Sequence, residues 1–193
     1  MSRLEPIIGT EIIDDIRLGH TFHEVNCLKR MIDVYKPAWF VEIGVHEGGL
    51  SYLLIPTLPE YVRYMGIEIN CNLIRSQVRR LYTDYSNTKL LCNDAFAVVN
   101  DIAGLPNKII YCDGGNKAKE LIVYAPACEF GDIIMAHDFS DGQKVADVEK
   151  YGEIDFPKPE VLPKDIKFLY EKFDRIEDKD ILFGTRIVAF MRK

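Results

Sequence analysis

Acidic residues recur in this chain at one kind of place, the carboxyl end of a short apolar run. Glu42 and Gly44 close the run Trp39–Ile43, and Glu68 closes Tyr64–Ile69. Asp94 follows Lys89–Cys92, Asp113 follows Lys108–Cys112, and His137-Asp138 follows Asp132–Ala136. If these runs are parallel strands, every one of those side chains arrives at the same sheet edge, where open α/β sheets bind ligands. A single acid so placed serves as a helix N-cap, a part that Asp94 and Asp113 could each fill. Five in register make a site.

The first loop narrows the ligand. Glu42-Ile43-Gly44-Val45-His46-Glu47-Gly48-Gly49-Leu50-Ser51 reads E-x-G-x-x-x-G-G-x-S. Its glycines let backbone approach a ligand, and the helix that follows offers free N–H groups. It lacks the Lys of a phosphate loop and puts an acid before the first glycine, which suits a cationic or amino-bearing ligand better than a phosphate. Glu68 stands 24 residues after Gly44, where an acid accepts hydrogen bonds from ribose hydroxyls.

The elements that must carry these residues follow from periodicity. Residues 11–35 show Leu18, Phe22, Val25, Leu28, Ile32 and Tyr35 at three- and four-residue steps, an amphipathic helix stopped by Pro37. His20 and His23 fall largely outside that stripe; as an i, i+3 pair they could bind metal or touch substrate, but without a third ligand in sequence a plain exposed pair is the favoured reading. From Ala38 the five apolar runs alternate with helical stretches at about 49–57, 71–83, 94–101 and 116–125. Such alternation implies a parallel sheet with right-handed crossovers. Residues 139–165, with Gly142, Gly152, Pro157, Pro159 and Pro163, read as an irregular connection with a short helix at 143–151. A helix at 164–172 and strands at 173–177 and Thr185–Met191 close the chain, the two strands forming an antiparallel edge hairpin.

Bulk properties fit one domain of 193 residues with 48% hydrophobic and 28% charged content. A net charge of −6 argues against nucleic acid as a partner, and Arg75, Arg79 and Arg80 read as a solvated helix face. No apolar run approaches a membrane span, and no secretory signal is visible. The five cysteines are scattered without C-x-x-C, so neither a zinc site nor a disulfide framework is expected, and the expected setting is reducing and cytoplasmic.

The ordered set resembles the class I S-adenosylmethionine-dependent methyltransferases over about residues 38–193, with 1–37 as an N-terminal helical cap near the substrate. That resemblance implies a Rossmann-like, doubly wound, mostly parallel seven-stranded sheet with an antiparallel C-terminal strand. It implies cofactor binding by Glu42, Gly44, Gly48, Ser51, Glu68, Asp94, Ala95 and Asp113. Within that family, Ile110-Tyr111-Cys112-Asp113-Gly114-Gly115-Asn116 and Ile134-Met135-Ala136-His137-Asp138-Phe139 look like the macrocin O-methyltransferase and cephalosporin hydroxylase-like subgroup. By that likeness Asp113 and Asp138 are ligands for Mg²⁺, and His137, Asp138 and Asp113 are the catalytic residues. The subgroup's second acid and histidine after strand four are replaced here by Gly115 and Asn116.

The expected reaction is methyl transfer to a hydroxyl of a small molecule such as a sugar or natural product. The expected partner is that acceptor, with a homo-oligomer left open. Two other readings stand beside it. One is a binding protein that kept the pocket and lost catalysis. The other is an NAD-binding oxidoreductase, against which His46 stands where G-x-G-x-x-G needs its second glycine.

Overall fold

The structure, a computed structural model, describes residues 12–139, 160–177 and 186–193. Nine strands occur among them: β1 Ile12–Ile13, β2 Ile16–Arg17, β3 Trp39–Ile43, β4 Arg63–Glu68, β5 Thr88–Cys92, β6 Lys108–Cys112, β7 Ile133–Ala136, β8 Phe173–Arg175 and β9 Val188–Arg192. Seven form one sheet in the order β5-β4-β3-β6-β7-β9-β8, and β1 and β2 pair as a separate small hairpin. Strands β3 to β7 are parallel, while β9 runs antiparallel to both β7 and β8. This is the parallel sheet that the alternation implied, in the Rossmann-like, seven-stranded form that the resemblance implied.

The closing strands pair antiparallel at the sheet edge, as expected. Strand β9 inserts between β7 and β8, leaving β8 at the edge. Burial explains the placement: Val188, Ala189 and Phe190 are all buried, whereas β8 exposes Asp174. A strand apolar on successive residues belongs inside a sheet covered on both faces. At the opposite edge, β5 is only partly covered.

The α-helices are α1 Phe22–Tyr35, α2 Gly49–Leu54, α3 Ser76–Asp84, α4 Val99–Ala103 and α5 Lys117–Tyr124. Those between the parallel strands fall where expected, though shorter, and 3-10 turns flank three of them. The stretch expected to be a helix at 164–172 is a 3-10 run, Pro163–Glu171. The expected helix at 143–151 lies outside the described residues. Among the described residues no helix is long and apolar enough to cross a membrane.

The single helix expected over 11–35 is replaced in its first part by the β1–β2 hairpin. The physical reason is a capping box, T-x-x-E, which sets the helix start at Thr21. Thr21 Oγ1 accepts from Glu24 N at 3.1 Å, and Glu24 Oε2 accepts from Thr21 N at 2.9 Å. Lys36, in the left-handed region, ends the helix.

Helix α1 lies against the sheet. Val25, Leu28, Met31 and Ile32 pack with Phe40, Tyr64, Ile109, Tyr111, Ile133 and Met135. Each such side chain contributes about 1.5–3 kcal/mol of burial. The other sheet face packs Val41, Ile67, Ile110 and Ile134 against Leu121, Tyr124, Ile166 and Leu169. What reaches the ligand edge from the N-terminal region is the chain between hairpin and helix, Arg17 to His20.

A disulfide joins Cys71, just past β4, to Cys92 at the end of β5. This corrects the expectation of no disulfide. Parallel pairing of Glu68 with Cys92 carries the loop after Glu68 back to the end of the neighbouring strand, a proximity that sequence spacing does not show. Cys27, Cys112 and Cys128 are buried, as small strand and helix residues are.

Candidate active site

The sheet ladder continues one residue beyond the strands and aligns the site. Gly44 N donates to Ile67 O at 2.9 Å, Asp113 N to Ile43 O at 3.0 Å, and His137 N to Cys112 O at 3.1 Å. The strand ends therefore open together onto one cleft of about 830 Å³. Among the residues lining it are Glu42, Gly44, Glu68, Asp94, Ala95, Asp113, His137 and Asp138. This volume lies in the range of small-molecule and cofactor sites.

Two of the expected site residues stand behind the cleft wall. Ser51 is fully buried and donates to Glu42 Oε2 at 2.6 Å. Gly48 has a positive φ, and a Cβ there would meet Val78 at 2.5 Å, so it seats α2 against α3. Tyr64 also donates to Glu42 Oε2, at 2.7 Å. Burial pushes the Glu42 pKa up to about 7, and those hydrogen bonds offset only part of the rise.

Glu68 holds the glycine loop. Its Oε2 accepts from His46 N at 2.7 Å and its Oε1 from Asn70 N at 2.9 Å. An ionised carboxylate offers about four acceptor positions. Two are used here, which leaves capacity for ligand hydroxyls. Asp94 Oδ1 accepts from Phe96 N at 2.9 Å and so caps the turn Ala95–Ala97. Ala95 and Phe96 line the same wall.

The other end of the cleft is densely ionic. His137 Nδ1 lies 3.1 Å from Asp113 Oδ1, and its Nε2 lies 3.1 Å from Glu24 Oε1. Burial alone would lower the His137 pKa, but the charges and hydrogen bonds of Asp113 and Glu24 outweigh it and raise the value to about 9. Burial would likewise raise Asp113, and the two imidazoles of His20 and His137 instead hold it well below the usual carboxylate range. Asp138 pairs with Arg186 and, at 3.1 Å, with Lys117 Nζ. Lys117 also reaches Glu160 at 3.0 Å.

Sequence reasoning missed several of these residues. His20, expected on an exposed face with His23, is 3% exposed and stacks on the His137 ring with centroids 4.5 Å apart. The capping box was the signal that could have placed it, because it puts His20 just outside the helix. Glu120 cradles the Asp113-Gly114-Gly115-Asn116 turn, accepting from Gly114 N at 3.1 Å and Asn116 N at 3.3 Å. Glu24 carried only the capping-box pattern, and Lys117 and Arg186 carried no motif.

No protein-family model and no curated protein sequence matches the chain. Solved structures do. An apo structure of CmcI superposes with a TM-score of 0.65 at 13% identity, over 96% of this chain and 77% of the other. An O-methyltransferase from Bacillus cereus in complex with S-adenosylhomocysteine gives 0.57 at 15% identity, over 89% and 82%. The O-methyltransferase TomG from Streptomyces achromogenes, in complex with S-adenosylmethionine, gives 0.53 at 12% identity, over 94% and 84%. At these identities the shared property is the fold, and the class it defines is the Rossmann-like methyltransferase fold.

Proposed function

We propose that the cleft binds S-adenosylmethionine and transfers its methyl group to a hydroxyl of a small-molecule acceptor. The observation that carries this reading is the convergence of Gly44, Glu68, Asp94, Asp113 and His137, from five parallel strand ends, on one cleft. In this reading Glu68 holds the ribose with its spare acceptor positions, and Asp94 and Ala95 meet the adenine. The glycine loop carries the amino-acid end, where the Glu42 side of the wall favours an ammonium. The acceptor lies towards Asp113, His137 and Asp138.

Methyl transfer from a sulfonium is an in-line displacement, so positioning and exclusion of water supply most of the acceleration. The acceptor oxygen must also lose its proton. His137 carries two protons near neutral pH, given its raised pKa. It serves as a base only once one of them has left.

Magnesium held by Asp113 and Asp138 fits these residues poorly. Mg²⁺ requires oxygen ligands in near-octahedral array. Asp113 faces two imidazoles, and the Asp138 carboxylate is taken by Arg186 and Lys117.

Calorimetric titration with S-adenosylhomocysteine, with NAD⁺ as control, tests the cofactor. Binding of the first and not the second is expected, and no binding of S-adenosylhomocysteine overturns the reading. Turnover of S-adenosylmethionine with a panel of hydroxylated acceptors then separates an enzyme from a binding protein, which the Gly115 and Asn116 replacements keep in view.

A further inference from the structure

We propose that His20, Asp113 and His137 form a site for one divalent transition ion of the zinc type. The inference rests on side-chain geometry and does not require the methyl-transfer reading. Donor atoms of the three residues lie within 4.8 Å of one another. His20 Nε2 is 3.2 Å from Asp113 Oδ2, and His137 Nδ1 is 3.1 Å from Asp113 Oδ1. An ion bound tetrahedrally at about 2.0–2.1 Å separates its ligand atoms by roughly 3.3 Å. The two contacts to Asp113, one through each of its carboxylate oxygens, stand close to that edge.

The outer nitrogens are anchored as they are in metal-bound histidines. His137 Nε2 faces the Glu24 carboxylate at 3.1 Å, with Arg186 Nη2 beside it at 3.2 Å, and His20 Nδ1 faces Leu18 O at 3.3 Å. A carboxylate or backbone carbonyl on the distal nitrogen fixes the tautomer and turns the other lone pair towards the ion. Tyr111 Oη, 2.9 Å from His20 Nε2, offers that nitrogen a donor, consistent with Nε2 as the unprotonated, ligating atom.

The donor set decides which ion. Imidazole suits zinc, iron, nickel and copper, whereas magnesium takes oxygen ligands. Three protein ligands leave the fourth tetrahedral position open towards the cleft, the arrangement of catalytic rather than structural zinc.

The test uses chelator-dialysed full-length protein without cofactor, titrated with Zn²⁺ by calorimetry and with Co²⁺ by visible absorption. One equivalent of each, a tetrahedral cobalt spectrum and no displacement by excess Mg²⁺ are expected. His20→Gln and Asp113→Asn should abolish binding, and Glu24→Gln should weaken it about 10–100-fold. His23→Gln, three residues along on the exposed side, should bind as wild type. Circular dichroism melts identify any variant that fails to fold. Absence of Zn²⁺ binding by wild type overturns the site, as does unchanged affinity in folded His20→Gln and Asp113→Asn. S-adenosylhomocysteine binding is scored separately, so loss of either reading leaves the other standing.

Discussion

Gly44 and Gly114 meet backbone to backbone across the ends of β3 and β6: a Cβ on Gly44 would fall 2.5 Å from Gly114 Cα and 2.7 Å from Asp113 O. Gly44 also holds φ at +87°, a region that side chains rarely adopt. The cofactor loop and the Asp113 loop are therefore one packed unit. Gly44→Ala is expected to cost at least about 2 kcal/mol, from strain and overpacking together. Urea unfolding measures it, and a Gly44→Ala protein as stable as wild type would contradict the close approach.

Glu42 predicts a pH dependence of stability. Its pKa is raised from 4.5 to about 7, chiefly by burial. The folded state thus holds that proton more tightly than the unfolded chain. The stability so gained is complete below pH 4.5 and is lost as pH rises through about 7. Glu42→Gln keeps an acceptor for Ser51 and Tyr64 but cannot ionise. Its Tm should gain on that of wild type between about pH 5 and about pH 8, and a constant difference would refute the buried, elevated carboxyl.

Glu68 predicts the strength of cofactor binding. Hydrogen bonds to a charged group contribute about 1.5–3 kcal/mol each. Glu68→Ala should weaken S-adenosylhomocysteine about tenfold or more by calorimetry. The variant also loses the His46 and Asn70 contacts, so its melt is recorded alongside. Unchanged affinity in a folded variant removes the ribose role.

The Cys71–Cys92 bond ties the rim beside Glu68 and Asp94, across a separation of 21 residues. Alkylation before reduction should leave both cysteines unlabelled. Cys71→Ser should lower unfolding stability by about 3 kcal/mol, the chain-entropy value for a loop of this order. Labelling of Cys71 in unreduced, folded protein would show that the bond is not formed.

The parallel strands, the glycine loop and the acids of the cleft were legible because each is written in contiguous residues. Apolar runs of strand length ended by Glu42, Glu68, Asp113 or His137 specify both the element and the edge at which the acid emerges. Ser51 and Gly48 were legible as motif but not as position. Whether a loop residue faces the ligand or the helix behind depends on packing against Glu42 and Val78.

Tertiary structure alone decided the rest. His20 reaches Asp113 because a capping box starts α1 late and the β1–β2 hairpin turns the preceding residues over the cleft. Arg186 and Lys117 claim Asp138 from different elements. Cys71 meets Cys92 through strand pairing, and β9 enters the sheet between β7 and β8. Each of these is a contact between segments distant in sequence, fixed by the free energy of packing the whole chain. Local pattern selects the element and the side chain's face; which partner waits there is settled only when all the elements compete for the same core.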